Sequence, residues 1–495
     1  MAGCTLKDRK FKSVSLRFLL PAVFAVVLLL FFFFYDQSVR DFRENGVTAD
    51  IILCLTVSLS GALGVVLYYN QLLNTHTLIA LMFVCGFALR LCYAVRYGYS
   101  VNQHDVESLQ SSGHLSYIYT IAETGALPAS NSWQFSHPPL HHFLAACAVK
   151  LSLACGFTLE RGFENIQLLT VFYSSMTMLA GYSMCRLCKI RGTNLCFCAL
   201  LLAFHPIFSI LAGSINNDIL MIMLSMYAVV FLMKWYRLPK VKYAIICGAF
   251  CGLAMMTKVS AALIAVVAAI SVVIKFITSK KLTFGAVALQ ALCFLAVFLP
   301  LGLWHPVRNY ILFEQPLGYV APIPVTSKLY TGDISIIKRL VLPFSTEKFG
   351  VYTDVWNEYN VWYYMLRNSL FGEYSFGSEG VAVFAVLANF VLIIASLVAF
   401  VYLIVKGFAQ SQCLIPVSVL YFVQLAFFVY FNVKYPFGCT MDFRYIVPLL
   451  FCGIVFLGAS GEVLSNSKSK FAVITVNAVK FSAVVLAVVS IFLLA

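Results

Sequence analysis

Charge is what this sequence has least of. Asp, Glu, Lys and Arg make up 11% of its 495 residues, against about a quarter in an ordinary soluble domain. Hydrophobic residues make up 61%, and the mean hydropathy is +0.90. That balance excludes a soluble domain and implies an integral membrane protein. A net charge of +14 would suit nucleic acid, but the basic residues form no single patch and sit at the ends of apolar runs, so no nucleic-acid partner is expected. Repeats at a solenoid period are absent, as are low-complexity segments. The first apolar run, ending in "LLLFFFFYDQ", has no small-residue cleavage site and therefore reads as a retained anchor. No N-x-Ser/Thr sequon occurs. Nearly all of the sixteen cysteines lie inside apolar runs, where Cys behaves as a small hydrophobe. Only Cys439 sits in an outer loop, so no disulfide framework is expected. Cys185, Cys188, Cys196 and Cys198 have zinc-like spacing, but the second pair already enters an apolar run, which counts against a metal there.

What is present is a series of apolar runs at roughly 18–35, 50–69, 77–95, 166–185, 193–213, 218–233, 241–257, 259–278, 283–304, 380–404, 412–431, 444–461 and 472–493. With about 20 residues needed per crossing, this predicts about thirteen spans. The basic residues set the orientation. Lys7, Arg9, Lys10, Lys12 and Arg17 precede the first span, and the alternation puts Arg186/Lys189/Arg191, Lys234/Arg237/Lys240/Lys242, Lys275/Lys280/Lys281, Lys406, Lys468 and Lys470 on the same, cytoplasmic side. The agreement holds only if 138–155, "PPLHHFLAACAVKLSLAC", does not cross. Its Pro pair, two histidines and Lys150 suit a helix lying along the outer interface. Four regions follow: a basic tail with a two-helix membrane hairpin (1–76), a membrane core (77–304) with an outer loop at 96–165, a second outer segment (305–379) and C-terminal membrane helices (380–495).

The outer loop is the most polar stretch in the chain. Charged groups cost about 2.5–3.5 kcal/mol each inside hydrocarbon, so acids belong in such loops whatever their role, and Asp105 taken alone means little. Its position means more. Asp105 follows the third span closely, and Asp218 opens the sixth after the turn "AGSINNDIL", so both reach the same surface. Two acids from separate loops are what is needed to draw a proton from an acceptor hydroxyl or to hold a divalent cation.

The ordered series "ALRLCYAVRYGYSVNQHDVESL", "GHLSYIYTIAETGALP", "HPPLHHFL", "SINNDIL", "GLAMMTK", "WHPVRNYILFEQPLG" and "MDFRYIVPLL" resembles the GT-C superfamily of polytopic glycosyltransferases. The similarity is greatest to protein O-mannosyltransferases and lipid A aminoarabinose transferases, and it covers roughly 77–461. It implies an all-α polytopic membrane protein with a GT-C-like core and extracytoplasmic loops carrying interfacial helices. It also implies an enzyme that moves a sugar from a polyprenyl or dolichyl phosphate to a protein, lipid or glycan acceptor, in a bacterial plasma membrane or the endoplasmic reticulum, with the site facing away from the cytoplasm. The family's loop acid, often one of an adjacent pair, matches Asp105; here the neighbour is Val106 and the next acid is Glu107. The acid opening a later helix matches Asp218. Where the lipid A branch has a phosphate-contacting Lys before a Pro, this sequence has His137. The first two spans have no counterpart in the family core.

Independently of the resemblance, transfer from a lipid phosphate needs a base for the incoming hydroxyl and positive charge for the departing phosphate. Asp105 is the expected base, and Lys258, Arg308 and Arg444 are the expected phosphate partners. The plainer readings are a snorkelling Lys258, a helix-end anchor at Arg444 and an Arg308–Glu314 pair. His104, His114, His137, His141 and His142 crowd the same loop, and His137 and His141 stand one helical turn apart. Together with Asp105 this set, His104 foremost, could hold a divalent metal as cofactor, although amphipathic surface histidines are equally common. Tyr117, Tyr119 and Trp133 suit sugar stacking or an interfacial aromatic belt. The competing class is a transporter or flippase of a lipid-linked sugar, which would place ionisable groups near mid-membrane in matched halves. Arg90 is the clearest charge within a span and lies toward its outer end, and no halves are evident.

Overall fold

A computed structural model describes residues 16–279, 282–341, 359–374, 376, 379–465 and 467–494. Lys7, Arg9, Lys10, Lys12, Lys280 and Lys281, and the side chain of Arg17, lie outside the described residues. The described chain is helical, with a single isolated bridge between Tyr330 and Phe437. In chain order the helices are α1 (Leu16–Phe34), α2 (Phe42–Tyr69), α3 (Thr75–Tyr97), α4 (His114–Thr124), α5 (Leu140–Ala154), α6 (Leu159–Leu187), α7 (Gly192–Phe204), α8 (Pro206–Gly213) and α9 (Asp218–Arg237). They continue as α10 (Val241–Met255), α11 (Ala262–Thr278), α12 (Phe284–Phe313), α13 (Ile336–Leu340), α14 (Val361–Phe371), α15 (Glu379–Val405), α16 (Leu414–Lys434), α17 (Val447–Leu464) and α18 (Lys470–Leu494).

Among the described residues, eleven helical stretches are long and apolar enough to cross a membrane, fewer than the thirteen expected. The runs at 18–35 and 241–257 form shorter apolar helices. The shortness of α10 reflects its setting: it leaves the basic end of α9 and returns along it, bringing Lys258 back to Asp218 at the far end of α9. The 138–155 stretch forms the short α5, which packs on α4 and α6. Helix α1 rests on α6 and α3 while α2 rests on α3, held by Arg161 to Asp36 at 3.4 Å and by Arg96 to Asp50.

Five of the eleven stretches form the inside of the bundle: α3, α6, α7 with α8, α9, and Gly438–Leu464. Each has 72–89% of its apolar window buried, against 6–44% for the other six. The basic clusters gather at one end. There Ser411 bonds the Leu187 carbonyl, Cys413 Sγ reaches the Met233 carbonyl, and Lys275 meets Gln412. Asp218 is at the opposite end.

The break between α7 and α8 is built around a buried charge. Pro206 opens α8 and has no N–H for the Leu202 carbonyl four residues earlier. Arg90, fully buried on α3, supplies the missing donors: Nη2 reaches the Leu202 carbonyl at 2.9 Å and Nη1 the Ala203 carbonyl at 2.7 Å, while Nε reaches Ser174 at 3.0 Å. Gly86 permits this close crossing, because a Cβ there would stand 2.9 Å from the Ala203 carbonyl oxygen. Arg90 is therefore a cap for a broken helix, which answers the question its place in a span raised. Arg90→Met leaves both carbonyls without a donor, and a loss of about 3 kcal/mol is expected. Thermal unfolding in detergent should show a clear drop in midpoint; an unchanged midpoint would mean the break is held by other contacts.

Candidate active site

The polar loop after α3 is fixed by backbone and amide contacts. Gln167 Nε2 bonds the carbonyls of Gly98 and Gly213, each at 2.6 Å, and Gln103 Nε2 bonds the same two at 2.9 and 2.8 Å. Gln103 Oε1 also accepts from Ile215 N–H at 3.1 Å. These two side chains clamp the end of α3 to the end of α8, and so set the loop carrying Asp105 beside the turn leading to Asp218. At the other side of the loop, the first N–H groups of α4, on His114 and Leu115, donate to the carbonyls of Asp105 and Val106 at 3.0 and 3.2 Å. The approach requires Gly113, where a Cβ would lie 2.3 Å from the Val106 carbonyl oxygen. Asn102, Asp105 and Glu107 all have φ between 51° and 56°, a left-handed region that Asn and Asp tolerate best.

The acids then converge on one guanidinium. Arg444, 4% exposed on a 3₁₀ turn at Phe443–Ile446, places Nη1 3.0 Å from Asp105 Oδ2 and 3.7 Å from Asp218 Oδ2, with Nε 3.2 Å from Asp442 Oδ2. Lys258 pairs with Asp218, which is 1% exposed and opens α9, where the helix dipole also favours a carboxylate. Tyr445 lies under both cations, 4.9 Å from Lys258 Nζ and 5.2 Å from the Arg444 guanidinium carbon. Burial would raise the Asp105 carboxyl, but Arg444, His104 and Lys258 outweigh it and hold the group below its usual range. Asp105 is thus a carboxylate at neutral pH.

Beside this network His104 Nδ1 meets Glu373 Oε2 at 3.1 Å. Burial and Arg444 oppose protonation of that imidazole, yet Glu373 and Asp442 prevail and raise it above the ordinary histidine value. The His104, Glu373 and Asp442 donor atoms lie within 4.8 Å of one another.

The remaining sequence candidates are spread around this centre. Glu107 is exposed and stands outside the ion-pair network. His137 is half-buried and faces Lys258, Asp218, Asp105 and Arg444; burial, aided by Lys258, pushes it down to about 4, so it is a neutral imidazole. His114 Nδ1 and His142 Nε2 are 2.9 Å apart, and His142 stacks on Tyr117 at 4.0 Å. His141 is used elsewhere, its Nε2 bonding the Ile215 carbonyl at 2.8 Å. Arg308 bonds Asn309 at 2.9 Å and lies over Phe313 rather than pairing with Glu314. Asp105's carboxylate turns to Arg444, so the metal-compatible group contains His104 but replaces Asp105 with Glu373 and Asp442. Among the described residues Cys185, Cys188, Cys196 and Cys198 form no metal-ligand group. Trp133 is 42% exposed.

A family model described as dolichyl-phosphate-mannose-protein mannosyltransferase matches residues 136–304, which include His137, Asp218 and Lys258. Among solved structures, the chain is similar to ArnT from Cupriavidus metallidurans bound to undecaprenyl phosphate, at 14% identity over 85% of this chain and 76% of that one, with a TM-score of 0.48. It is also similar to ArnT from the same organism in the apo state, at 14% identity over 77% and 70%, with a TM-score of 0.44. No curated protein gives a significant match.

If Gly113 is the seat of α4 on the loop that carries Asp105, Gly113→Ala should break both α4–loop bonds, at about 1 kcal/mol each. Limited proteolysis should then cut within 96–113 faster than in the wild-type protein, at unchanged overall helicity. Equal cleavage rates would show that the loop does not depend on this contact.

Proposed function

We propose that the protein is a glycosyltransferase that uses a polyprenyl- or dolichyl-phosphate sugar and acts at the end of the helix bundle remote from its basic clusters. The observation that supports this most is an ionised loop carboxylate, Asp105, paired with Arg444, which Asp218 joins to a second cation, Lys258, at one end of an apolar bundle. The match to the mannosyltransferase family model supports it independently and makes a mannosyl donor the first to test.

In this reading the hydroxyl of the acceptor attacks the anomeric carbon, the bond from that carbon to the phosphate oxygen breaks, and the polyprenyl phosphate leaves. Asp105 takes the hydroxyl proton. Lys258 and Arg444 hold the phosphate, whose negative charge grows as the bond breaks. The two roles are linked: as Arg444 turns its charge toward the phosphate, its hold on Asp105 weakens and the carboxylate becomes the stronger base it must be at that moment. Asp218 keeps Lys258 and Arg444 in place and is a positioning residue. His137, being neutral, serves as a hydrogen-bond partner to the phosphate or sugar, and Arg308 is available to the donor near the surface. Glu107 and His141 take no part. In this reading the acceptor is a hydroxyl on protein, lipid or glycan, and the basic clusters at the opposite end of the bundle support a site on the non-cytoplasmic side. Arg90, committed to backbone carbonyls and Ser174, offers no transport pathway.

Asp105→Asn is the direct test, because Asn adopts the left-handed backbone of this position as readily as Asp. Reconstituted protein given polyprenyl-phosphate sugar should lose transfer by about 10²–10⁴-fold while the variant still elutes as monodisperse, helical protein, with a lowered thermal midpoint from the charge left unpaired on Arg444. Wild-type rates in that variant would remove Asp105 from the chemistry.

A further inference from the structure

We infer that His104, Glu373 and Asp442 form a site for one divalent transition-metal cation alongside the Asp105–Arg444 pair. The three donor atoms lie within 4.8 Å of one another. His104 Nδ1 and Glu373 Oε2, 3.1 Å apart, have the separation of neighbouring ligands around an ion with bonds of about 2.0–2.2 Å.

Asp442 gives a second and separate indication. It is 1% exposed, and its Oδ2 accepts no hydrogen bond: Arg444 Nε is 3.2 Å away but is not aligned to donate. A buried carboxylate oxygen without an aligned donor is costly, and the same carboxylate supplies one of the three donor atoms of the group with His104 and Glu373. The charges agree. Four carboxylates, Asp105, Asp218, Glu373 and Asp442, meet Arg444, Lys258 and, at Glu373, His104. Even with His104 protonated one negative charge stays uncompensated, which is unfavourable when buried, and a divalent cation bound by neutral His104 would bring the cluster to neutrality.

One imidazole nitrogen and two carboxylate oxygens form a borderline donor set. It suits zinc or manganese better than calcium, which takes six to eight oxygens, or magnesium. The outer contacts also fit, since Tyr364 Oη donates to Glu373 Oε1 at 3.4 Å and Asp442 Oδ1 accepts from the Arg444 N–H at 2.9 Å. The ligands come from three segments: the loop after α3, the turn after α14, and the turn preceding α17. His104 adjoins Asp105, and Asp442 stands two residues before Arg444. A bound ion would therefore fix the base and the phosphate-binding guanidinium relative to one another. That consequence rests on the proposed glycosyl transfer, whereas the binding itself does not.

The test is zinc binding by the full-length protein in detergent, stripped with EDTA and then titrated with ZnCl₂. Elemental analysis after desalting should give one equivalent, with a raised thermal midpoint. Glu373→Gln and Asp442→Asn should each lose the equivalent and the shift while eluting as monodisperse protein. Absence of a stoichiometric ion, or undiminished binding in both variants, would overturn the site. Should neither variant be monodisperse, zinc-edge X-ray absorption on the wild type decides. Nitrogen and oxygen ligands near 2.0–2.1 Å would support the assignment, and sulfur ligands near 2.3 Å would place the ion on cysteines instead. None of these readouts needs sugar transfer, so loss of the metal site would leave the enzymatic reading standing, and an inactive but zinc-binding protein would do the reverse.

Discussion

The site depends on a single side chain being shared. Arg444 contacts Asp105, Asp218 and Asp442, which come from the loop after α3, the start of α9 and the turn preceding α17. A guanidinium is planar, always charged and rich in donors, which is why it can serve several carboxylates where a lysine would serve one. Removing one member of such a buried pair costs about 3–5 kcal/mol, because the partner is left charged and alone. The network is accordingly less a source of stability than a constraint on geometry: the segments it joins satisfy their charges only when they meet at this point.

The helical frame brings them there by ordinary means. Pro206 interrupts one span, Arg90 caps the interruption, and the short α8 that follows ends at Gly213, where Gln103 and Gln167 tie it to Gly98. From that tie the chain has four residues in which to turn and begin α9 with Asp218. The antiparallel return through α10 delivers Lys258 to the same level. A charge buried inside the bundle thus acts as scaffold, while the charges at its end pair with one another.

Much of this was legible from residue types alone. Apolar runs gave the helices, and the alternation of basic ends placed Asp105, Asp218, Lys258 and Arg444 at one level, because in a bundle of spans the surface a residue reaches depends only on how many crossings precede it. The count of spans was less legible, since a short helix such as α10, packed between α9 and α12, has an apolar run little different from a long one. Asp442 stood in "MDFRY" two residues from Arg444, and its role was hidden because a 3₁₀ turn, not a helix or strand, orients it. Glu373 follows α14 in a long segment with no periodicity, and nothing in the chain marks it as the partner of His104, 269 residues earlier. Glu107, the next acid after Asp105 in sequence, is exposed and has no part in the ion pairs around Arg444, a difference in burial that its place in a polar loop does not reveal.

The central claim is that base and phosphate-binding cations occupy one place. It is tested most directly by a cryo-EM structure of the protein with a polyprenyl phosphate bound. The account predicts phosphate density between Lys258 and Arg444, with the Asp105 carboxylate facing it across a space wide enough for a sugar ring. Phosphate held at another part of the bundle, with Asp105 and Arg444 still closed on each other, would contradict it.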